Sequence, residues 1–234
     1  NRCLVGSEMC IRDRVSRELV ADTQTPVSAY LRLASGSRNT FLLESVEGGE
    51  IRGRFSVIGL SPDLIWRCRG SVAEINRDPA NSGEFSADSR APIDSLRALM
   101  AESTMDDTGD LPPMSAGLFG YFGYDMIRHI EAIPDANPAV IDTPDSMLVR
   151  PSLIAIFDRL KDSITFVVQV RPAEWDEPQA AWSHAQDRLR QRSTRLMPRC
   201  RRPKPVKAPR PFPIRARIWN RGISSLWSMR PRIT

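Results

Sequence analysis

The sequence predicts an α+β fold: antiparallel β-sheets in a sandwich-like arrangement, with helices packed outside. Three features carry this. Short alternating apolar runs follow one another across tight turns, the order of an antiparallel meander. A few separate stretches carry apolar residues at helical spacing. No internal repeat is present, so the chain is not a solenoid.

Residues 1–14 show neither caps nor alternation and are set apart as a non-native leader, like adapter read-through joined to a gene. Val15, Leu19 and Val20 fit a short strand or a short helix. Thr25-Pro26 is a helix start, with Thr25 as N-cap and Pro26 in the first turn. Val27, Tyr30, Leu31 and Ala34 then define an apolar face, and Gly36 closes the helix. Residues 41–50 read as a strand running into a sharp turn. Phe41 to Leu43 call for burial, Glu44 and Ser45 place a carboxylate and a hydroxyl at the strand end, and Gly48-Gly49 turns the chain back. Arg52 and Arg54 are expected to pair across strands with Glu47 or Glu50. Residues 54–59, 64–69 and 72–75 alternate as successive strands.

A polar loop over residues 77–91 leads to a helix opened by Pro92, with Ile93, Leu96, Leu99 and Met100 on one face. Residues 104–113 are an acidic loop. In residues 116–125, glycines recur among large aromatics, which predicts a buried strand closely approached by another backbone. This run lacks the Lys-Ser/Thr of a phosphate-binding loop. A short helix over 126–133 stops at Pro134, and a proline-bearing connector follows to Pro144. Residues 146–157 form a strand in which Pro151 requires a bulge or an edge. Residues 164–170 pair back as the clearest hairpin. Residues 175–190 are helical, aligning Ala181, Trp182, Ala185 and Leu189.

Length and composition are those of a globular chain with a core of its own. No apolar run approaches the ~20 residues of a membrane span. Cys3, Cys10, Cys68 and Cys200 show no metal-type spacing, and His129 and His184 are the only histidines. That pattern argues against a zinc site and a disulfide framework and points to a cytoplasmic setting. No nucleophile–histidine–acid set is credible. Acid pairs such as Asp106/Asp107 and Asp176/Glu177 read as solvated loop residues.

The net charge of +5 conceals a sharp division. All 28 acidic residues lie at or before Asp187, and 15 of the 33 basic residues lie after it. From about Ser193 hydrophobic periodicity fails, and residues 193–234 read as a basic tail, disordered or out of frame. Synonymous codons for residues 217–234 can be chosen so that a shifted frame opens a sensible amphipathic helix. This places a frameshift between about 188 and 200. A genuine tail would instead attract nucleic acid or an anionic membrane, and neither is an expected partner here.

Four segments together resemble the N-terminal region of anthranilate synthase component I: residues 22–33 (DTQTPVSAYLRL), 41–60 (FLLESVEGGEIRGRFSVIGL), 117–131 (GLFGYFGYDMIRHIE) and 147–158 (MLVRPSLIAIFD). The resemblance covers about residues 15–190 and assigns residues 15–192 to that N-terminal domain. The shifted-frame string also resembles the segment that follows in the family.

The resemblance implies an enzyme that converts chorismate to anthranilate in tryptophan biosynthesis. It also implies ammonia from a glutamine amidotransferase subunit and Mg2+ held in a catalytic half beyond this chain. On that reading no catalytic, cofactor or metal residue lies here, and the chain alone is inactive. The same resemblance places Leu43, Glu44 and Ser45 in a feedback pocket for L-tryptophan, with Ser45 nearest the ligand. The glycine-aromatic segment is shared with aminodeoxychorismate synthase, which stands as the alternative enzyme. A stand-alone amino-acid-binding or interaction module with a basic tail is the alternative of another class.

Overall fold

The structure is a computed structural model and describes residues 13–45, 53–103, 111–134, 141–171 and 175–196. Residues 1–12 of the expected leader, the Gly48-Gly49 turn, Arg52, Glu47, Glu50, Asp106/Asp107 and most of the basic tail lie outside those residues, whereas the leader's last two residues, Asp13 and Arg14, open the first strand. In chain order the elements are β1 (Asp13–Val20), α1 (Pro26–Leu33), β2 (Phe41–Leu43), β3 (Phe55–Arg69), β4 (Val72–Asn76) and β5 (Ser86–Ala87). Then come α2 (Pro92–Ser103), β6 (Phe119–Phe122), a 3-10 helix (Tyr124–His129), β7 (Ser146–Asp158), β8 (Ser163–Val170) and α3 (Pro178–Leu196).

Among the described residues all strands join one curled antiparallel sheet, ordered β1-β8-β7-β3-β4-β5. The α+β class and the external helices are as the sequence predicts. β3 and β7 are its two long members and pair from Phe55↔Asp158 to Cys68↔Ser146. Each is too long for a single partner on its outer side. β2 borders the first half of β3 and β4 the second. β6 borders the first half of β7 and β8 the second.

The two strands expected at 54–59 and 64–69 are one continuous strand. Its middle holds Pro62 opposite Pro151, with a bulge between Pro62 and Leu64 and a left-handed Ser61 at φ 48°. Proline has no N–H for the ladder, so two facing prolines break it at one place while the chain runs on. The requirement read from Pro151 is met by this bulge.

Alternation sorts the strands into packed faces. Ile58, Leu60, Leu153, Ala155, Phe157, Phe166 and Val168 meet α1 and α3 in one cluster. Val57, Ile154, Ile156 and Val167, offset by one residue, form a second cluster with Phe41, Phe55, Leu111 and Phe119. Past the bulge, Leu64, Trp66, Cys68, Ala73 and Leu148 pack against Leu96 and Leu99 of α2 and against Met126.

The helices begin where their caps direct. The Thr25 hydroxyl accepts from Ser28 N–H at 3.1 Å, and the Ser28 hydroxyl accepts from Thr25 N–H at 3.0 Å, a reciprocal capping box. The buried face of α1 differs from the expected one: Pro26, Ala29 and Leu33 are buried, while Val27 and Leu31 are exposed. The small Ala29 allows close approach to the sheet, and Tyr30 is tied by its hydroxyl to Thr40 at 3.0 Å. The helix is thereby turned by one residue.

In α2, Ser95 is buried and Met100 exposed, because the Ser95 hydroxyl accepts from Trp66 Nε1 at 3.1 Å and donates to Asp88 at 2.7 Å. α3 buries Ala181, Ala185 and Leu189, leaves Trp182 half exposed, and continues through buried Ser193 and Leu196. The short helix expected over 126–133 is a 3-10 helix that begins earlier, at Tyr124, and ends at His129.

β6 corrects another expectation. It is a border strand whose Tyr121 and Phe122 are exposed, not a buried one. The close approach is nonetheless present: a Cβ on Gly120 would fall on the Met147 carbonyl oxygen.

A charged cluster lies beside the bulge. Arg150 is buried and donates to Asp63 at 2.8 Å and to Glu102 at 3.1 Å, and Glu102 also receives Arg77 at 2.9 and 3.0 Å. Arg171 also contacts Asp63. The hydrogen bond from Arg77, then that from Arg150, hold the Glu102 carboxyl down from 4.5 to about 2. A depressed carboxylate contributes stability that is complete above its unfolded value and lost as pH falls through the folded one. Wild-type stability should therefore decline between about pH 4.5 and 2 partly through Glu102. In Glu102→Gln the urea midpoint should be lower at pH 7 and fall less steeply over that window. Equal slopes would remove Glu102 from the acid response.

Candidate functional site

The polar strand end lies on β2, which the pairs Phe41↔Gly59, Leu42↔Ile58 and Leu43↔Val57 attach to β3. The absence of a side chain on Gly59 makes this possible, because a Cβ there would enter the Phe41 ring. The ring instead lies over the sheet and meets Phe119 at 4.9 Å between centroids. Leu42 packs toward the α1/α3 cluster. Leu43, expected to be buried, is 49% exposed, because no further strand borders β2 there among the described residues.

Ser45 is fixed through its backbone: its N–H donates to the hydroxyl of fully buried Ser56 at 3.3 Å. Glu44 points to solvent and meets Arg159 only at 3.8 Å, with both side chains about 40% exposed. An ion pair this long and wet contributes little. The Glu44 carboxylate is therefore open to a second cation.

The partners expected for Arg54, Glu47 and Glu50, lie outside the described residues, and among those described Arg54 pairs with Asp158. Its guanidinium makes a fork on Asp158 at 2.9 and 2.6 Å and lies over the Phe55 ring at 4.8 Å. That fork, more than any other contact, holds the Asp158 carboxyl below its ordinary range. The backbone N–H groups of Leu160 and Lys161 complete the acceptor at 3.0 and 3.3 Å. Arg54–Asp158 thus closes the β7–β8 turn against the start of β3.

The three predicted residues are brought together by adjacency along the chain. The structure adds what adjacency could not give: an apolar surface at Leu43, an anchored amide at Ser45 and a loosely held carboxylate at Glu44. This set can hold an ammonium group beside apolar surface. It contains no nucleophile with a base.

Elsewhere among the described residues the reactive side chains are quiescent. Cys68 is buried, lies 3.6 Å from His129 Nε2, and has its thiol pushed up to about 11 by burial and then by Asp145. Such a thiol stays protonated. His184 lies tilted against Trp175 at 4.9 Å. Asp176 and Glu177 are exposed, as expected. Among the described residues no group of three or more metal-ligating side chains stands together. Those residues offer no Mg2+ cradle. No described helix is long and apolar enough to cross a membrane.

No family model matches the chain. Anthranilate synthase component 1 of Cereibacter sphaeroides is 46% identical over 176 residues, covering 75% of this chain and 35% of the relative. The chain belongs to the anthranilate synthase component I family. The Thermus thermophilus member is 34% identical over 169 residues, covering 71% of this chain and 34% of its own length. The fold agrees with the family: the component I structure from Streptococcus pneumoniae superposes with a TM-score of 0.50 at 22% identity, covering 83% of this chain and 38% of that one. The chain thus spans about a third of the length of its anthranilate synthase relatives. Relatives of this name do not favour the aminodeoxychorismate synthase alternative.

Proposed function

We propose that this chain supplies the regulatory and scaffolding part of an anthranilate synthase component I. The complete enzyme would convert chorismate, with ammonia from a glutamine amidotransferase subunit, to anthranilate and pyruvate in the cytoplasm. Mg2+ would be bound by residues outside those described here. The 46% identity to an anthranilate synthase component 1 carries this reading, because it runs over three quarters of the chain.

Within that role, Leu43, Glu44 and Ser45 form part of a site for L-tryptophan, the feedback inhibitor. The loose Glu44–Arg159 contact supports it, since a carboxylate so weakly engaged can accept the ligand's ammonium group. Exposed Leu43 offers apolar surface for the indole. Ser45, whose amide is tied to Ser56, brings a hydroxyl to the same strand end.

A paired experiment tests both parts. The 234-residue chain, supplied with chorismate, ammonia and Mg2+, should form no anthranilate. Turnover by this chain alone would overturn the scaffolding role. In the complete component I, Ser45→Arg should raise the tryptophan concentration for half-inhibition by at least about tenfold, the loss of roughly one hydrogen bond to a charged group, with kcat retained. Unchanged inhibition would remove Ser45 from the site.

A further inference from the structure

We infer that Arg188 and Arg192, with the hydroxyls of Ser61 and Ser152, form a binding site for a small oxyanion between α3 and the proline bulge. The two arginines stand one turn apart on α3 and reach the same irregular point of the sheet. Arg188 Nη2 donates to Ser152 Oγ at 2.8 Å. Arg192 Nη2 donates to Ser61 Oγ at 3.4 Å, and its Nη1 to the Leu33 carbonyl at 2.9 Å. Ser152 spends its own proton on the Ser61 carbonyl. A continuous line of donors therefore joins Arg188, Ser152, Ser61 and Arg192.

No ion pair among the described residues compensates the charge of this line. Among the described residues neither arginine has a carboxylate within ion-pair distance. Asp63, whose field reaches Arg188, is already engaged by Arg150 and Arg171. Arg195 adds positive field at Arg192. Burial, then Arg192 in the case of Arg188 and Arg195 in the case of Arg192, push both guanidiniums down from their ordinary value, as expected for cations near one another in a partly dry place.

The donors exceed the acceptors. Each guanidinium carries five N–H groups in a planar fork. Arg188 uses one on a neutral hydroxyl, and Arg192 uses two on neutral oxygens. The Ser61 hydroxyl proton has no acceptor among the described residues. Both arginines are half-buried, enclosed yet open to a solute. Phosphate or a dicarboxylate supplies the missing elements: two negative charges and several acceptor oxygens matched to a guanidinium fork. The site lies apart from the β2 strand end and does not depend on the tryptophan reading.

Isothermal titration of the 234-residue chain with inorganic phosphate, and separately with malonate, tests the site at constant ionic strength set by chloride. At least one of the two should bind with one-to-one stoichiometry. Arg188→Gln should weaken that binding by about tenfold or more, while Arg188→Lys should weaken it less, because lysine keeps charge without the fork. Among the described residues Arg188 has no hydrogen bond besides that to Ser152, so this variant spares the Arg192–Leu33 clamp. Its fold is verified by an unchanged urea midpoint in chloride. A variant that fails to fold is replaced by Ser61→Ala, expected to weaken binding severalfold. Binding of phosphate alone or of malonate alone supports the site and tells which oxyanion chemistry it accepts. No heat from either at 20 mM, about the limit for a useful solute site, overturns it. Equal binding by the wild type and the folded variant also overturns it.

Discussion

Trp66→Ala is expected to be the most damaging substitution of one side chain in the sheet, at about 3–5 kcal/mol. Trp66 is fully buried in the cluster that joins β3, β4, β7 and α2. Its neighbours in register are Ile75 and Leu148, so the lost volume would open between three strands and a helix. Those elements are pinned by their own ladders and cannot collapse fully into the space. The change also removes the indole N–H from the Ser95 hydroxyl, although Ser95 keeps its bond to Asp88. Trp66→Phe should therefore cost less, because most of the volume remains and the Ser95 oxygen loses one donor of a satisfied chain. Urea unfolding followed by circular dichroism measures both. A Trp66→Ala protein within about 1 kcal/mol of wild type would show that this cluster does not support the fold.

Gly120→Val should strip β6 from the sheet. The added Cβ would meet the Met147 carbonyl oxygen and the Leu148 Cα, both backbone atoms of a strand paired on two sides. Met147 faces Arg67 on β3 and Tyr121 on β6, so β7 cannot yield without breaking its longer ladder. The lighter four-residue strand must move. Overpacking of this kind costs about 1–3 kcal/mol, and here the loss should concentrate on one element. Amide hydrogen exchange should show residues 119–122 losing protection while the β1–β8 pairing keeps its own. Full protection of β6 in the variant would contradict the close approach.

What the sequence discloses and what it conceals divide along physical lines. The Thr25–Ser28 capping box is local, involving side chains three residues apart, and Thr25-Pro26 announces it. The β7–β8 hairpin is also local. The glycine run discloses that a backbone comes near, because glycine is the residue that permits it, but not which side of the strand faces water.

The helix faces are less legible. Val27 and Leu31 are more apolar than Ala29, yet Ala29 is the residue that touches the sheet. Packing distance, not hydrophobicity alone, settles the rotation. The junction of 54–59 with 64–69 is concealed because a proline reads as an end until its partner, another proline 89 positions later, is known. At the candidate site the strand-end position of Leu43, Glu44 and Ser45 is legible. The partners Ser56 and Arg159 are not, since they arrive from the next strand and from the turn between β7 and β8. The Arg188–Ser152 and Arg192–Ser61 contacts join residues 36 and 131 positions apart, and no local pattern marks them.

The pairing of β1 with β8 has a consequence for how the molecule is made. Asp13 finds its place opposite Val170, and Val20 opposite Ser163, so the first described strand cannot dock until the last has been synthesised. At ribosomal rates of about 5–20 residues per second, that is a wait on the order of ten seconds. During the wait Val15 and Leu19 have no partner strand to cover them, while α1 can already meet β3 through Ile58 and Leu60. A newborn chain of this topology has high contact order and depends on its surroundings, chaperones included, until β8 emerges.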